Sequence, residues 1–156
     1  MKYGIAITPA GEVTAFELGE RNYETIVRHV GGIITSVRTS DETVVAYVHD
    51  EGLLIGLEPN VFASVFTGQN IVGPMVVVGA VSEQGEYDGE DHDVPEFYKS
   101  KDFAELVNRL NNDEKSKDVI SANIDNMDFS MKFIPMNDEQ FNEWMKDGTL
   151  PVDEVK

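Results

Sequence analysis

The densest group of side chains able to do chemistry is the run Asp88-Gly89-Glu90-Asp91-His92-Asp93. It lies within residues 83–96, hereafter the acidic segment, where seven of fourteen residues are acidic. Carboxylates and imidazole are ligands for divalent cations, but the helix-loop-helix calcium motif needs a defined glycine position and a distal bidentate glutamate. Because the run lacks that spacing, the sequence predicts a mobile, solvated loop with no specific metal site.

Other catalytic chemistry is not indicated by the sequence. The three histidines, His29, His49 and His92, are scattered, and cysteine is absent. The serines have no nucleophile-elbow context, and Gly31-Gly32 follow a predicted helix instead of opening one, so they do not form a phosphate-binding turn. We therefore expect no cofactor and no catalytic residue, and an enzyme is the third of the functional classes considered.

Charge is the main guide to the partner. The chain has 29 acidic and 12 basic residues, for a net charge of -17, and residues 81–156 hold 20 of the acidic and 8 of the basic ones. A negative surface repels phosphate backbones and anionic lipids, so direct binding to nucleic acid or to a membrane surface is not expected. A basic protein is the expected partner. The residues expected to contact it are the acidic-segment carboxylates Glu86, Asp88, Glu90, Asp91, Asp93 and Glu96.

The elements that must position this segment can be read from periodicity. Alternation around Ile5 and Ile7 and again over residues 13–17 predicts one hairpin, and the β-branched runs 33–37 and 44–48 predict a second. The spacing of the next apolar residues predicts a helix with one apolar face, formed by Tyr23, Ile26, Val27 and Val30. Gly31-Gly32 are expected to end that helix. Residues 61–66 form a short helix after Asn60, and the buried part of the next strand begins at Met75, after Pro74.

These elements predict a small α+β domain, with a mixed, largely antiparallel sheet and two to four short helices packed on it. Residues 1–81 form its core, 82–99 an acidic loop, and 100–156 a helix-strand-helix extension in the same domain. That extension begins with a helix capped by Ser100 and continues with a strand at 129–133 and a helix at 137–147. One core is expected, formed by Ile5, Ile7, Ile26, Val27, Val30, Ile34, Val45, Val76 and Val78.

Three stretches carry a resemblance to a known family: IVRHVGGIIT at 26–35, VAYVHDEGLLIGLEPN at 45–60 and IVGPMVVVG at 71–79. They resemble the domain of unknown function numbered three-eight-four-six, which is common in bacteriophages and bacterial mobile elements. The similarity covers residues 1–81, and the segment HDEG at 49–52 departs slightly from an Asn-Glu-Gly-like turn. The resemblance implies a phage-type protein in the cytoplasm of a bacterial host, and it implies no activity.

Two main functional classes remain open. The first is a phage-encoded modulator or inhibitor that binds a basic host protein through its acidic surface, with nucleic-acid mimicry as the extreme version. Fully extended, the acidic segment spans at most about 48 Å, which gives about one negative charge per 7 Å. Duplex DNA carries about one per 1.7 Å along its axis, so the segment cannot mimic DNA alone. The second class is a small-ligand, nucleotide-like binder in which the αβ scaffold forms a pocket, with a homo-oligomer interface as one location. An anionic ligand would require basic residues such as Arg28 and Arg38 to converge in that pocket. A carboxylate-rich surface that serves solubility alone is the remaining interpretation.

For the first class, reversal of Asp91, Asp93 and Glu96 to Lys is expected to slow association and to leave folding intact, because exposed charges contribute little to stability.

Overall fold

The computed structural model describes residues 1–126, and its centre is a five-stranded antiparallel sheet. The strands are β1 (Tyr3–Ile7), β2 (Val13–Glu17), β3 (Ile34–Val37), β4 (Val44–His49) and β5 (Met75–Gly79). Their order across the sheet is β2-β1-β5-β4-β3, with the two predicted hairpins at its edges. The α+β class and the largely antiparallel sheet are therefore confirmed.

Four helices accompany the sheet. They are α1 (Asn22–Val30), α2 (Val61–Thr67), α3 (Lys101–Asn111) and α4 (Glu114–Asp125), and a short 3-10 helix at Glu96–Lys99 precedes α3. The first three were predicted, whereas α4 was not. The strand expected at 129–133 and the helix expected at 137–147 lie outside the described residues. Among residues 1–126, none of the helices combines the length and apolar composition that a membrane crossing requires.

Local signals set the helix ends. Gly31 follows α1 with φ 93°, the left-handed conformation that glycine adopts without steric cost, and its N–H donates to Val27 O. The Asn60 side chain accepts from Ala63 N at the start of α2. Likewise, the Ser100 hydroxyl accepts from Phe103 N at the start of α3. Each cap satisfies a backbone group that has no partner inside its helix.

The sheet separates two hydrophobic clusters, so the single predicted core is wrong. Ile5 and Ile7 belong to the larger cluster, which includes residues of α2 and α3. The smaller cluster lies on the opposite face of the sheet, where Ile26 and Val30 of α1 are found. It also contains the other predicted core residues Val76, Val78, Ile34 and Val45. The physical reason is the twofold alternation of a strand, which directs neighbouring side chains to opposite faces, and both faces of this sheet are covered by helices.

The helical face predicted for α1 also needs correction at two positions. Tyr23 is 63% exposed, and Val27 is only half-buried and belongs to neither cluster. The nine-residue α1 therefore contacts the sheet mainly through Ile26 and Val30, one turn apart.

A buried asparagine pair joins the larger cluster's helices to β1. Asn111 Nδ2 donates to Asn60 Oδ1 at 3.0 Å and to Thr8 O at 2.8 Å, and its Oδ1 accepts from Phe62 N at 2.7 Å. Asn60 Nδ2 in turn donates to Ile7 O at 3.1 Å. Both side chains are fully buried, so each hydrogen bond offsets the cost of removing an amide from water.

We expect Val76→Ala to destabilise the protein by about 1–3 kcal/mol, because Val76 is fully enclosed and its loss leaves a cavity. The same truncation at the half-buried Val27 should cost less than about 1 kcal/mol, since alanine's higher helix propensity offsets part of the lost burial. Urea unfolding of both variants measures the difference. Equal losses would contradict the difference in burial between the two valines.

Candidate functional site

The acidic segment leaves the sheet after β5 and returns between the ends of two strands. His92 pairs with Gly79 at the end of β5 through two backbone hydrogen bonds of 2.8 Å, and Val94 N donates to Tyr3 O at 2.9 Å. Residues 92–94 thus fill the gap between β5 and the start of β1. A Cβ at Gly79 would overlap the Asp93 carbonyl oxygen, so glycine is required there for this approach.

Asp91 is directed into the fold, on the face of the sheet that carries α1. Its Oδ1 accepts from the Tyr47 hydroxyl and its Oδ2 from Asn22 Nδ2, each at 2.7 Å. Burial, followed by the hydrogen bond and the negative charge of Asp91, raises the pKa of Tyr47 above its ordinary value. This carboxylate therefore joins the acidic segment to β4 and to the start of α1.

Asp93 and Glu96 are engaged by neighbouring groups. Asp93 Oδ1 accepts from Tyr3 N at 2.7 Å, and Lys99 Nζ lies 3.2 Å from its Oδ2 and 2.9 Å from Glu96 Oε1. The hydrogen bond with Glu96 is the largest influence that raises the pKa of Lys99. Lys99 therefore neutralises part of the charge at the base of the segment.

The remaining carboxylates face solvent. Glu83, Glu86, Asp88 and Glu90 are exposed, and within residues 1–126 none has a lysine or arginine nitrogen within 4 Å. The backbone beneath them is held by a turn in which Ser82 N donates to Glu86 O at 2.8 Å. We call these four residues the outer carboxylates.

The six predicted contact residues are therefore divided by the structure. Within residues 1–126, Glu86, Asp88 and Glu90 are exposed without a lysine or arginine partner, and Glu96 is exposed but ion-paired. Asp91 and Asp93 accept hydrogen bonds from other elements of the fold. The expectation that Asp91 and Asp93 can be reversed without affecting folding assumed free, exposed charges. Asp91 is instead half-buried and accepts from Tyr47 and Asn22, and Asp93, although exposed, accepts from Tyr3 N. Likewise, the segment is not solvated throughout, since His92 and Val94 are buried.

One cluster within the segment combines two outer carboxylates with His92. His92 Nε2 lies 2.7 Å from Asp88 Oδ1, and Glu90 N donates to the same oxygen at 3.0 Å. The hydrogen bond with His92 is the first cause that lowers the pKa of Asp88. One ligand atom each from Asp88, Glu90 and His92 lie within 4.8 Å of one another. The sequence shows these residues as neighbours but not that His92 is buried beneath them.

An open groove of about 750 Å³ lies beside the segment, at the end of the second hairpin. It is lined by Arg38, Glu42 and Tyr87, among others, and the Tyr87 hydroxyl donates to Glu42 O at 3.2 Å. Arg28 does not line this groove in the described part of the chain. The convergence of two arginines required for an anionic ligand is therefore not found there.

We expect Asp91→Ala to lower the free energy of unfolding by about 1–3 kcal/mol, because the partly buried Tyr47 hydroxyl and Asn22 amide lose their acceptor. Glu90→Ala, one position earlier and exposed, should change it by less than about 0.5 kcal/mol. Chemical denaturation measures both variants. A similar effect of the two would show that Asp91 is not an anchor.

A second expectation concerns alkaline pH. Because the pKa of Tyr47 is higher in the folded state than its ordinary value of 10.0, its stabilising effect is fully present below pH 10 and is lost as pH rises through the folded-state pKa. Between about pH 10 and 12 the parent protein should therefore lose stability more steeply than Tyr47→Phe. Urea midpoints across that range, measured on both proteins, test this. Parallel curves would contradict it.

Comparison with known proteins identifies a family but no function. No curated protein and no solved structure matches the chain. The family described as a domain of unknown function, DUF3846, matches residues 1–102. The match extends beyond residue 81, so the acidic segment and the start of α3 lie inside the family pattern instead of following it. Since it covers well over half of the 156 residues, the chain belongs to the DUF3846 family.

Proposed function

We propose that this protein acts by binding, and that its outer carboxylates engage a basic surface on another protein. No catalytic step is part of the proposal. Given the phage-type origin that the resemblance implies, the partner would be a bacterial host protein in the cytoplasm, which the binding would inhibit or modulate.

The observation that carries the proposal is the division of the segment into anchoring and outward-facing residues. Asp91, Asp93 and the backbone of His92 hold it to the sheet, while Glu83, Glu86, Asp88 and Glu90 are exposed without lysine or arginine partners among residues 1–126. Of these four, Asp88 is hydrogen-bonded to His92. Charges held on an anchored backbone lose less conformational entropy on binding than charges on a free loop. They also attract a basic partner over roughly a Debye length, about 8 Å at physiological salt.

Nucleic-acid mimicry is the stronger version of the same proposal. It requires more charge than the segment holds, and exposed carboxylates of α3 such as Asp102 and Glu105 would have to supply it. Glu105 lies 3.9 Å from Lys101 Nζ, which reduces its contribution. A basic protein surface that binds the outer carboxylates alone is the simpler requirement.

The triple variant Glu83→Lys, Glu86→Lys, Glu90→Lys tests the proposal. We expect it to fold normally and to associate with the partner at least about tenfold more slowly, because electrostatic steering acts mainly on the association rate. The partner is first isolated from a bacterial host lysate at low salt, then purified, and its binding kinetics are measured at low and high ionic strength. The parent's association rate should fall as salt rises.

The matched control is Glu12→Lys, Glu51→Lys, Glu58→Lys, which makes the same change in net charge at exposed positions outside the segment. It should retain most of the parent's association rate. If the segment variant binds as fast as the parent, or if salt has no effect on the rate, the acidic surface serves solubility only.

The second candidate, a small-ligand binder, is favoured by the groove beside Tyr87. Its volume of about 750 Å³ is within the range of ligand pockets, and Arg38 supplies a cation for an anionic ligand. The carboxylate of Glu42 at the same groove opposes a nucleotide-like ligand. This candidate takes precedence if the charge-reversal experiment shows no effect of the outer carboxylates.

A further inference from the structure

We propose that the outer edge of β2 is a docking site at which an extended, basic segment of a partner protein adds a strand to the sheet. β2 is the last strand on its side, next to β1, and the segment would pair with it through backbone hydrogen bonds. This surface lies outside the acidic segment, so it can be tested without the partner of the outer carboxylates.

The first support is the direction of the backbone groups in β2. Just after the strand, Leu18 N donates to Lys2 O at 2.7 Å, so residue 18 bonds toward β1. The bonding direction alternates along an antiparallel pair, and every second residue back from 18 therefore also bonds toward β1. The residues between them point their N–H and C=O groups outward, and residues 1–126 supply no hydrogen-bond partner for these groups. They are Val13, Ala15 and Glu17.

The second support is that β2 lacks the features that commonly block pairing at a sheet edge. Edge strands are often protected by proline, by lysine, by a bulge or by a very short length. β2 has the sequence VTAFE and pairs with β1 in unbroken register over its five residues. Its residues Thr14, Ala15 and Glu17 are exposed in the part of the chain that the structure describes. The edge is therefore accessible there.

The two faces of β2 select the side-chain pattern of the added strand. Val13 packs against the larger cluster and shares its face with Ala15 and Glu17. Phe16 lies on the opposite face and packs against the smaller cluster. A strand with the same alternation places apolar side chains beside Phe16 and polar ones beside Glu17. The fitting segment is thus amphipathic with a period of two.

Charge selects a basic segment. Glu17 and Glu20 are exposed, and among the described residues neither has a lysine or arginine nitrogen within 4 Å. Arg21, the next residue, lies 3.8 Å from Glu24 instead. Opposite charges on neighbouring strands stabilise the pairing, and like charges destabilise it. A second copy of this chain, with its net charge of -17, would bring like charges together, whereas lysine or arginine beside Glu17 complements the edge.

The test uses a seven-residue peptide of alternating lysine and valine with blocked ends, titrated into the isotope-labelled full chain and followed by NMR. We expect the amide signals of Val13, Ala15 and Glu17 to shift to saturation. The same three amides should exchange with solvent more slowly in the complex, because their N–H groups gain acceptors. The amides of Thr14 and Phe16 already bond to β1, so their exchange should change less.

The matched ligand is the same peptide methylated at every backbone nitrogen. It keeps the charge and the side chains but cannot donate to the edge, so it should bind at least about tenfold more weakly. This comparison uses the unchanged protein and therefore does not depend on the folding of a variant.

A pair of protein variants tests the charge. Glu17→Lys should weaken the peptide at least about threefold, because it places like charges on neighbouring strands. Glu58→Lys makes the same change in net charge at an exposed position outside the sheet, and it should weaken binding by less than about twofold. Absence of saturable shifts, equal binding of the methylated peptide, or equal effects of the two variants would each overturn the proposal. Shifts confined to the acidic segment would also overturn it, since they would show attraction by the outer carboxylates alone.

Discussion

The insertion of residues 92–94 between the ends of β1 and β5 is the constraint on which the described site depends. These strands pair from Ile5 to Ile7, and beyond Ile5 the returning chain takes up the hydrogen bonds of Tyr3 and Gly79. The backbones approach so closely that a side chain at Gly79 would overlap the Asp93 carbonyl. A highly charged segment is thereby attached to the centre of the sheet, because backbone pairing does not depend on the charge of the side chains.

This attachment explains how the protein accommodates so many carboxylates in fourteen residues. Buried charge is costly unless it is paired or hydrogen-bonded, and the half-buried Asp91 meets that condition, while Asp93 is exposed but also engaged. Asp91 accepts from Tyr47 and Asn22, and Asp93 accepts from a backbone amide and lies beside Lys99. The outer carboxylates remain hydrated, so repulsion among them is screened by water and salt. The same segment therefore contributes both to the fold and to the surface charge.

Most of the individual elements could be predicted because their signals are local. Gly31, Asn60 and Ser100 set helix ends through bonds to residues within four positions, and strand alternation is visible within five residues. The assembly of the core was predicted less well. A pattern of apolar residues does not reveal that both sheet faces are covered, so residues of two clusters were assigned to one. Similarly, α4 has no buried residue, and its polar sequence lacks the apolar face that would have predicted it.

The sequence by itself determined the sign and density of charge in the acidic segment, the family pattern and the class of the fold, since these follow from composition and short-range periodicity. Only the tertiary structure decided which carboxylates anchor and which face outward. Asp91 and Glu90 are adjacent and chemically alike, yet one meets Tyr47, 44 residues away, and the other meets solvent. The burial of His92 beneath Asp88 was decided in the same way. The physical reason is that hydrogen bonds between distant residues depend on how the sheet is assembled, which no local pattern contains.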